Sequence, residues 1–223
     1  MTARRSPVQA RSHDMVGRIL DATTRVLAAR GYAGTSTNRV AAEAGVSVGS
    51  LYRYFADKDE IVGELRVRAT ADIMDDLTEA MSRAVTLPTR DAVRQVLGTL
   101  VTALHRHRAL MAALVNEVPL GAQSNVLPGV ERQLAQFTRM FVATHAPRLD
   151  PLEADARIYL AMGVALSTCL RIALDPPPGI PEDHLVDLTA DLLGLGLVAP
   201  PRGTSADDHH RRGTAGDHGG VGR

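Results

Sequence analysis

The sequence predicts an all-α fold, in which three short N-terminal helices precede a longer helical body. Three observations carry that expectation. Apolar residues recur every three or four positions along most of the chain. The composition is rich in Ala and Leu, with no Trp and only 3% aromatics, so the core is aliphatic and favours helix. Gly and Pro fall between these periodic stretches, where helices must stop.

At 223 residues the chain has enough length for one continuous helical body or two modest subdomains. Residues 1–12 hold Arg4, Arg5 and Arg11 without an apolar period, and read as a flexible basic arm. From about Asp14 a helical stripe begins with Val16, Ile19, Ala22, Val26 and Leu27, and Gly31 is suited to ending it. Thr37 is placed to cap a short helix over Asn38 to Ala44. Gly45 ends that helix, and Ser47 is placed to cap the next, over Val48 to Phe55. Asp57 with Glu60 resembles a capping box and opens a long helix, where Ile61, Leu65, Ala69, Ile73 and Leu77 keep a four-residue step.

Beyond Pro88, helices are expected over Asp91 to His107, Ala109 to Val118 and Val130 to Thr144, with a loop over Gly121 to Gly129. Two more are expected over Leu152 to Leu174 and Glu182 to Leu197, joined by a stiff prolyl connector at Pro176, Pro177 and Pro178. After Pro200 the polar, Gly-rich tail is expected to be disordered. The domain reading is therefore an arm at 1–12, a helix-turn-helix at 13–60, a helical body at 61–199 and a tail at 200–223.

The net charge is zero, yet its distribution is uneven. Residues 1–58 carry nine Arg or Lys against four Asp or Glu, and the remainder carries sixteen against twenty-one. A basic head on an acidic body is expected when one end meets phosphate. No run reaches the roughly 18 to 20 uninterrupted apolar residues of a membrane span. The polar, basic N-terminus does not read as a signal peptide. A single cysteine, Cys169, rules out an intramolecular disulfide framework and suits a reducing cytoplasm, so a cytoplasmic location is expected.

The sharpest signal lies between Thr37 and Phe55, where two short helices meet at Ala44-Gly45-Val46. This is the spacing of a helix-turn-helix, whose second helix enters a major groove. With Leu51 and Phe55 turned inward, Val48, Gly49, Ser50 and Arg53 are left on the outer face. Arg53 is suited to guanine O6 and N7, and Val48 to a thymine methyl. Tyr52, Tyr54 and Lys58, with Thr37 and Asn38 at the first helix, are candidates for phosphate contacts. The tyrosines also fit as plain core rings, and Thr37 as a plain N-cap.

The run from Thr35 to Ile61, with its Ala-Gly-Val-Ser turn, its Leu51-Tyr-Arg-Tyr-Phe55 block and Lys58 three residues on, resembles the N-terminal domain of the TetR/AcrR family of bacterial regulators. Arg30-Gly31-Tyr32 also fits that pattern, and the resemblance covers about residues 14–62. It implies phosphate contacts from Thr37, Tyr52, Tyr54 and Lys58, and base reading by Val48, Gly49, Ser50 and Arg53. It also implies a dimer formed by the last two helices.

A palindromic operator in double-stranded DNA needs a homodimer. Small residues Ala161, Gly163, Ala165 and Ser167, and Leu185, Leu188, Leu192, Leu193 and Leu195, are the candidate dimer surface. A small, mostly apolar effector is expected among the middle helices. Its candidate contacts are Met111, Asn116, Gln136, Phe137, Arg139, Met140 and Thr168, with Leu114, Phe141 and Met162 as further apolar lining.

His105-Arg-His107-Arg108 and Asp207-Asp-His-His210 lack ligand geometry, and read as solvated surface and tail. No metal, cofactor or catalytic residue is expected. The leading function is therefore a ligand-released transcriptional repressor. The alternatives are a DNA-binding regulator without small-molecule control and a helical protein-interaction module.

Overall fold

The computed structural model describes residues 7–116 and 128–198. Among the described residues the elements are α1 (Pro7–Arg30), α2 (Thr37–Ala44), α3 (Val48–Tyr52), α4 (Lys58–Ala84), α5 (Thr89–Arg106), α6 (Arg108–Asn116), α7 (Pro128–His145), α8 (Pro151–Leu174) and α9 (Glu182–Val198). The expected all-α fold is the observed one, and most boundaries agree within two residues.

Three boundaries differ for physical reasons. Helix α1 starts at Pro7, about two turns before the expected Asp14. A proline suits a first helical position, since its missing N–H would have had no partner there. The second half of the supposed flexible arm is therefore helix, while residues 1–6 lie outside the described ones, as do 117–127 and the tail beyond 198. Helix α2 is capped by Ser36, whose hydroxyl accepts from the Arg39 N–H, and Thr37 is already its first residue. Helix α3 is one turn shorter than expected, with Arg53 as its C-cap.

A single apolar core runs from head to body, because α4 belongs to both. Ile61, Leu65, Ala69, Ile73 and Leu77 are buried along one side of α4, as their four-residue step requires. Its start is fixed by the Asp57 carboxylate, which accepts the Glu60 N–H at 2.8 Å, while Glu60 reaches back to the Ala56 N–H. Helix α1 packs on α2 and α6, α4 on α5, and α5 against α8 and α9.

Helix α8 is long and apolar enough by composition to cross a membrane. Both of its sides are occupied by apolar residues. Ile158, Ala161, Met162, Ala165 and Cys169 face the core, while Tyr159, Leu160 and Val164 face outward. Its ends carry Glu153, Asp155, Arg157 and Arg171.

Candidate nucleic-acid interface

The head is built around the turn at Gly45. Its φ of 64° is left-handed, which costs a residue with a Cβ about 1–2 kcal/mol. Its N–H closes α2, and the Val46 N–H bonds Ala41 O at 3.0 Å. Arg18 on α1 reaches the same turn, with Nη2 donating to Ala44 O at 2.7 Å. Gly34 serves a second close approach, since a Cβ there would sit 2.4 Å from Arg30 O. The α1–α2 loop therefore folds tightly on the end of α1.

Helix α3 is held from beneath. Leu51 is fully buried and Phe55 nearly so, and both join the core with Val40, Ala41 and Ala44 of α2. Ser47 caps α3 by accepting the Ser50 N–H at 3.0 Å. The remaining side chains of the segment face solvent. Val48, Gly49, Tyr52 and Arg53 are exposed, Ser50 is half-buried, and nothing stands within 4 Å of a Cβ built on Gly49. Ser47 Oγ and Ser50 Oγ lie 2.8 Å apart, and Arg53 Nη2 donates to Ser50 Oγ at 3.3 Å. The guanidinium is thus held along α3 with its other donors free for a partner.

The candidate phosphate ligands form two groups. Thr37 Oγ1 and Tyr52 OH are 3.1 Å apart, bridging the start of α2 to the end of α3, with Asn38 exposed beside them. Tyr54 is half-buried, its ring packed on the core. Lys58 sits apart from these. Its Nζ lies 4.0 Å from the centroid of the Tyr32 ring and donates to Tyr32 O at 3.3 Å.

Tyr32 was absent from the sequence-derived site. Its hydroxyl donates to Asp59, and burial, reinforced by that acceptor, pushes its pKa up to about 12. Tyr32 ties the end of α1 to the start of α4 and seats Lys58. The family-like Arg30-Gly31-Tyr32 step was the available signal for it.

Much of the basic excess in the head is used internally. Arg18 holds Ala44 O, Arg25 pairs with Glu43 and Arg39 donates to Gly34 O. The charge asymmetry read from sequence is thus partly a set of fasteners. Nothing in the sequence separates Arg18 and Arg25 from Arg53, because their partners lie 26 and 18 residues along the chain.

The expected effector residues do not converge. Phe137 alone of the seven lines the apolar cavity between α5, α7, α8 and α9, which has a volume of about 50 Å³. Val96, Leu100, Phe141, Met162 and Leu197 share that lining, so two further residues expected as lining, Phe141 and Met162, are there. Met111 is buried in the core on α6, as is Leu114. Asn116 ends α6, Met140 is exposed, and Gln136 faces a groove between α4 and α7. Arg139 pairs with Asp155, and Thr168 lies beside the prolyl connector. Gln136 and Arg139 lie about 100° and 200° around α7 from Phe137, and Met111 and Asn116 belong to α6, which contributes nothing to that lining, so the seven scatter.

Residues 19–65 match the family model described as bacterial regulatory proteins, tetR family. An HTH-type transcriptional repressor of Mycobacterium tuberculosis is 30% identical over 188 residues, covering 82% of this chain and 85% of the relative. The chain belongs to the TetR family.

It is accordingly a DNA-binding transcriptional regulator with an N-terminal helix-turn-helix. Solved structures agree on the fold. The fatty acid degradation regulator FadR from Bacillus halodurans superposes with a TM-score of 0.65 at 19% identity, covering 86% of this chain and 96% of that one. FadR from Bacillus subtilis in complex with stearoyl-CoA gives 0.62 at 20% identity, covering 81% and 98%.

Proposed function

We propose that this TetR-family regulator is a cytoplasmic repressor that binds a palindromic operator as a homodimer and leaves it when an apolar effector enters the body. The observation that carries the DNA half is the outward face of α3. Val48, Gly49, Ser50 and Arg53 project from a helix whose Leu51 is fully buried, so that face is stiff without being covered. In this reading Arg53 and Val48 touch base edges, Gly49 and Ser50 permit close approach, and Thr37, Asn38, Tyr52, Tyr54 and Lys58 take the backbone phosphates.

Two features support the rest. Tyr159, Leu160 and Val164 on α8, with Leu188, Leu192 and Leu195 on α9, form an exposed apolar face suited to a two-fold four-helix bundle. The sequence reading put Ala161, Ala165 and Leu193 on that surface as well, but they are buried inside their own subunit. The apolar cavity supports an effector with a hydrocarbon portion. Its single hydroxyl, Thr138, already donates to Leu134 O, leaving no polar demand unmet. At about 50 Å³ it is far below the roughly 300–1,000 Å³ of an occupied small-molecule site. A ligand must therefore part the helices to enter, which couples binding to a change in shape. The FadR of Bacillus subtilis, described in complex with stearoyl-CoA, makes acyl thioesters the first class to try.

The test is anisotropy of labelled duplexes from the region around the regulator's own coding sequence. Binding to one duplex in preference to random DNA, with affinity falling steeply as salt rises, is expected. Equal binding to all duplexes would remove the operator reading. Release by acyl thioesters or other apolar compounds tests the effector half separately.

A further inference from the structure

The basic run His105-Arg-His107-Arg108, expected to be solvated surface, is a staple at the joint between α5 and α6. Each of its four side chains faces a different anchor. His105 Nε2 is 3.6 Å from Glu182 at the start of α9. Arg106 donates to Asp76 on α4 at 2.7 Å, and Arg108 donates to Leu174 O at the end of α8. His107, the C-cap of α5, points Nε2 toward Asp72 on α4, 3.5 Å away.

That Nε2 is buried and makes no hydrogen bond. His105 Nε2 is likewise buried without a hydrogen bond, but of the two contacts to α4 His107 is the weaker, because Arg106 makes a charged pair with a direct bond. The groups facing His107 are Asp72, Asp76 and Arg68 from α4 and Arg106 from α5, with Arg108 next to it on α6. Asp72 lies fourteen residues along α4 from Lys58, about 21 Å at 1.5 Å per residue. A shift of α4 at this point is carried as a lever to the head, since α4 runs through the one core that head and body share.

We propose that His107 is a proton-sensitive latch between the α5–α6 joint and α4, so that acidification loosens α4 and lowers operator affinity. The sign follows from the surroundings. Burial outweighs Asp72 and holds the imidazole below the usual histidine range, so the docked joint is favoured with His107 neutral. As pH falls through about 6.5, an undocked His107 takes up a proton before the docked one does. The docked arrangement loses relative stability over that window and regains it as pH rises. This inference rests on the operator reading above.

The experiment compares operator affinity of wild type, His107→Gln and Asp72→Asn between about pH 7.5 and 5.5, together with the imidazole NMR titration of the wild-type chain. The wild type is expected to lose more affinity than His107→Gln on acidification, by a factor on the order of a few-fold to tenfold. Its His107 resonance should titrate below the free imidazole range, and further below it in Asp72→Asn. Superimposable pH profiles for wild type and His107→Gln, or a His107 that titrates as a solvent-exposed imidazole, would overturn the latch. Should His107→Gln not fold, the NMR titration and the Asp72→Asn profile decide alone. Absence of any operator binding at every pH would instead strike the functional reading.

Discussion

Replacing Leu192 by Asp probes the proposed dimer face at one of its most exposed leucines. Leu192 is 71% accessible in the single chain, and its neighbour Leu195 is 72%. Full burial of a leucine side chain is worth about 1.5–3 kcal/mol, so covering the exposed part of Leu192 contributes about 1–2 kcal/mol. Two-fold symmetry counts it twice, giving about 2–4 kcal/mol per dimer. Leu192→Asp removes that and buries a carboxylate beside its symmetry mate. The dimer dissociation constant should therefore rise at least about 30- to 700-fold. The folded subunit itself should change little, because an exposed side chain contributes little to its own core. Sedimentation equilibrium across a wide concentration series reads the constant directly, and circular dichroism checks that the helices persist. Leu192→Ala should give a smaller shift in the same direction. A variant that keeps the wild-type dimer constant with its helices intact would refute the assignment of this face.

Other perturbations test the head and the core. Arg53→Ala should lose about 1–3 kcal/mol of discrimination at one base pair per half-site, read by binding to a panel of singly substituted operators. An equal loss across the panel would make Arg53 a phosphate ligand instead. Leu51→Ala leaves every outward group of α3 in place, yet should destabilise the fold by about 2–5 kcal/mol in urea melts, since Leu51 is fully buried. Gly45→Ala should cost about 1–2 kcal/mol through the left-handed backbone alone, and an unchanged melt would contradict that turn. Burial pushes the Cys169 thiol up to about 12, so at pH 8 the thiolate is scarce and thiol reagents should react slowly until the chain is unfolded. Fast labelling of the native protein would show that α8 opens.

The head was readable in the sequence because its signals are local. Ser47, Gly45 and the Asp57–Glu60 pair announce the helix ends within a few residues, and the inward set of Leu51 and Phe55 fixes which side of α3 is left outside. The capping of α2 was misread by one residue because Ser36 and Thr37 are equally able to cap. The fasteners were not readable. Arg18 to Ala44 O, Tyr32 to Asp59 and Lys58 to the Tyr32 ring each join residues more than twenty positions apart, with no periodicity to mark them. The body shows the same division. Its helices follow from Pro and apolar spacing, but the cavity depends on how four helices cross. Phe137 was therefore placed on it while Gln136, Arg139 and Met140, its sequence neighbours, face away. The dimer surface failed similarly for Ala161 and Ala165, whose small size suits a close helix contact within a subunit as well as between two.

Methylation interference on a selected operator asks most directly whether α3 enters a major groove. Insertion of its Val48–Arg53 face predicts that methyl groups on guanine N7, in two symmetric half-sites about one helical turn or a multiple of it apart, block binding. It predicts also that one guanine per half-site becomes indifferent in Arg53→Ala. Interference confined to adenine N3 in the minor groove, or none at any base, would contradict it.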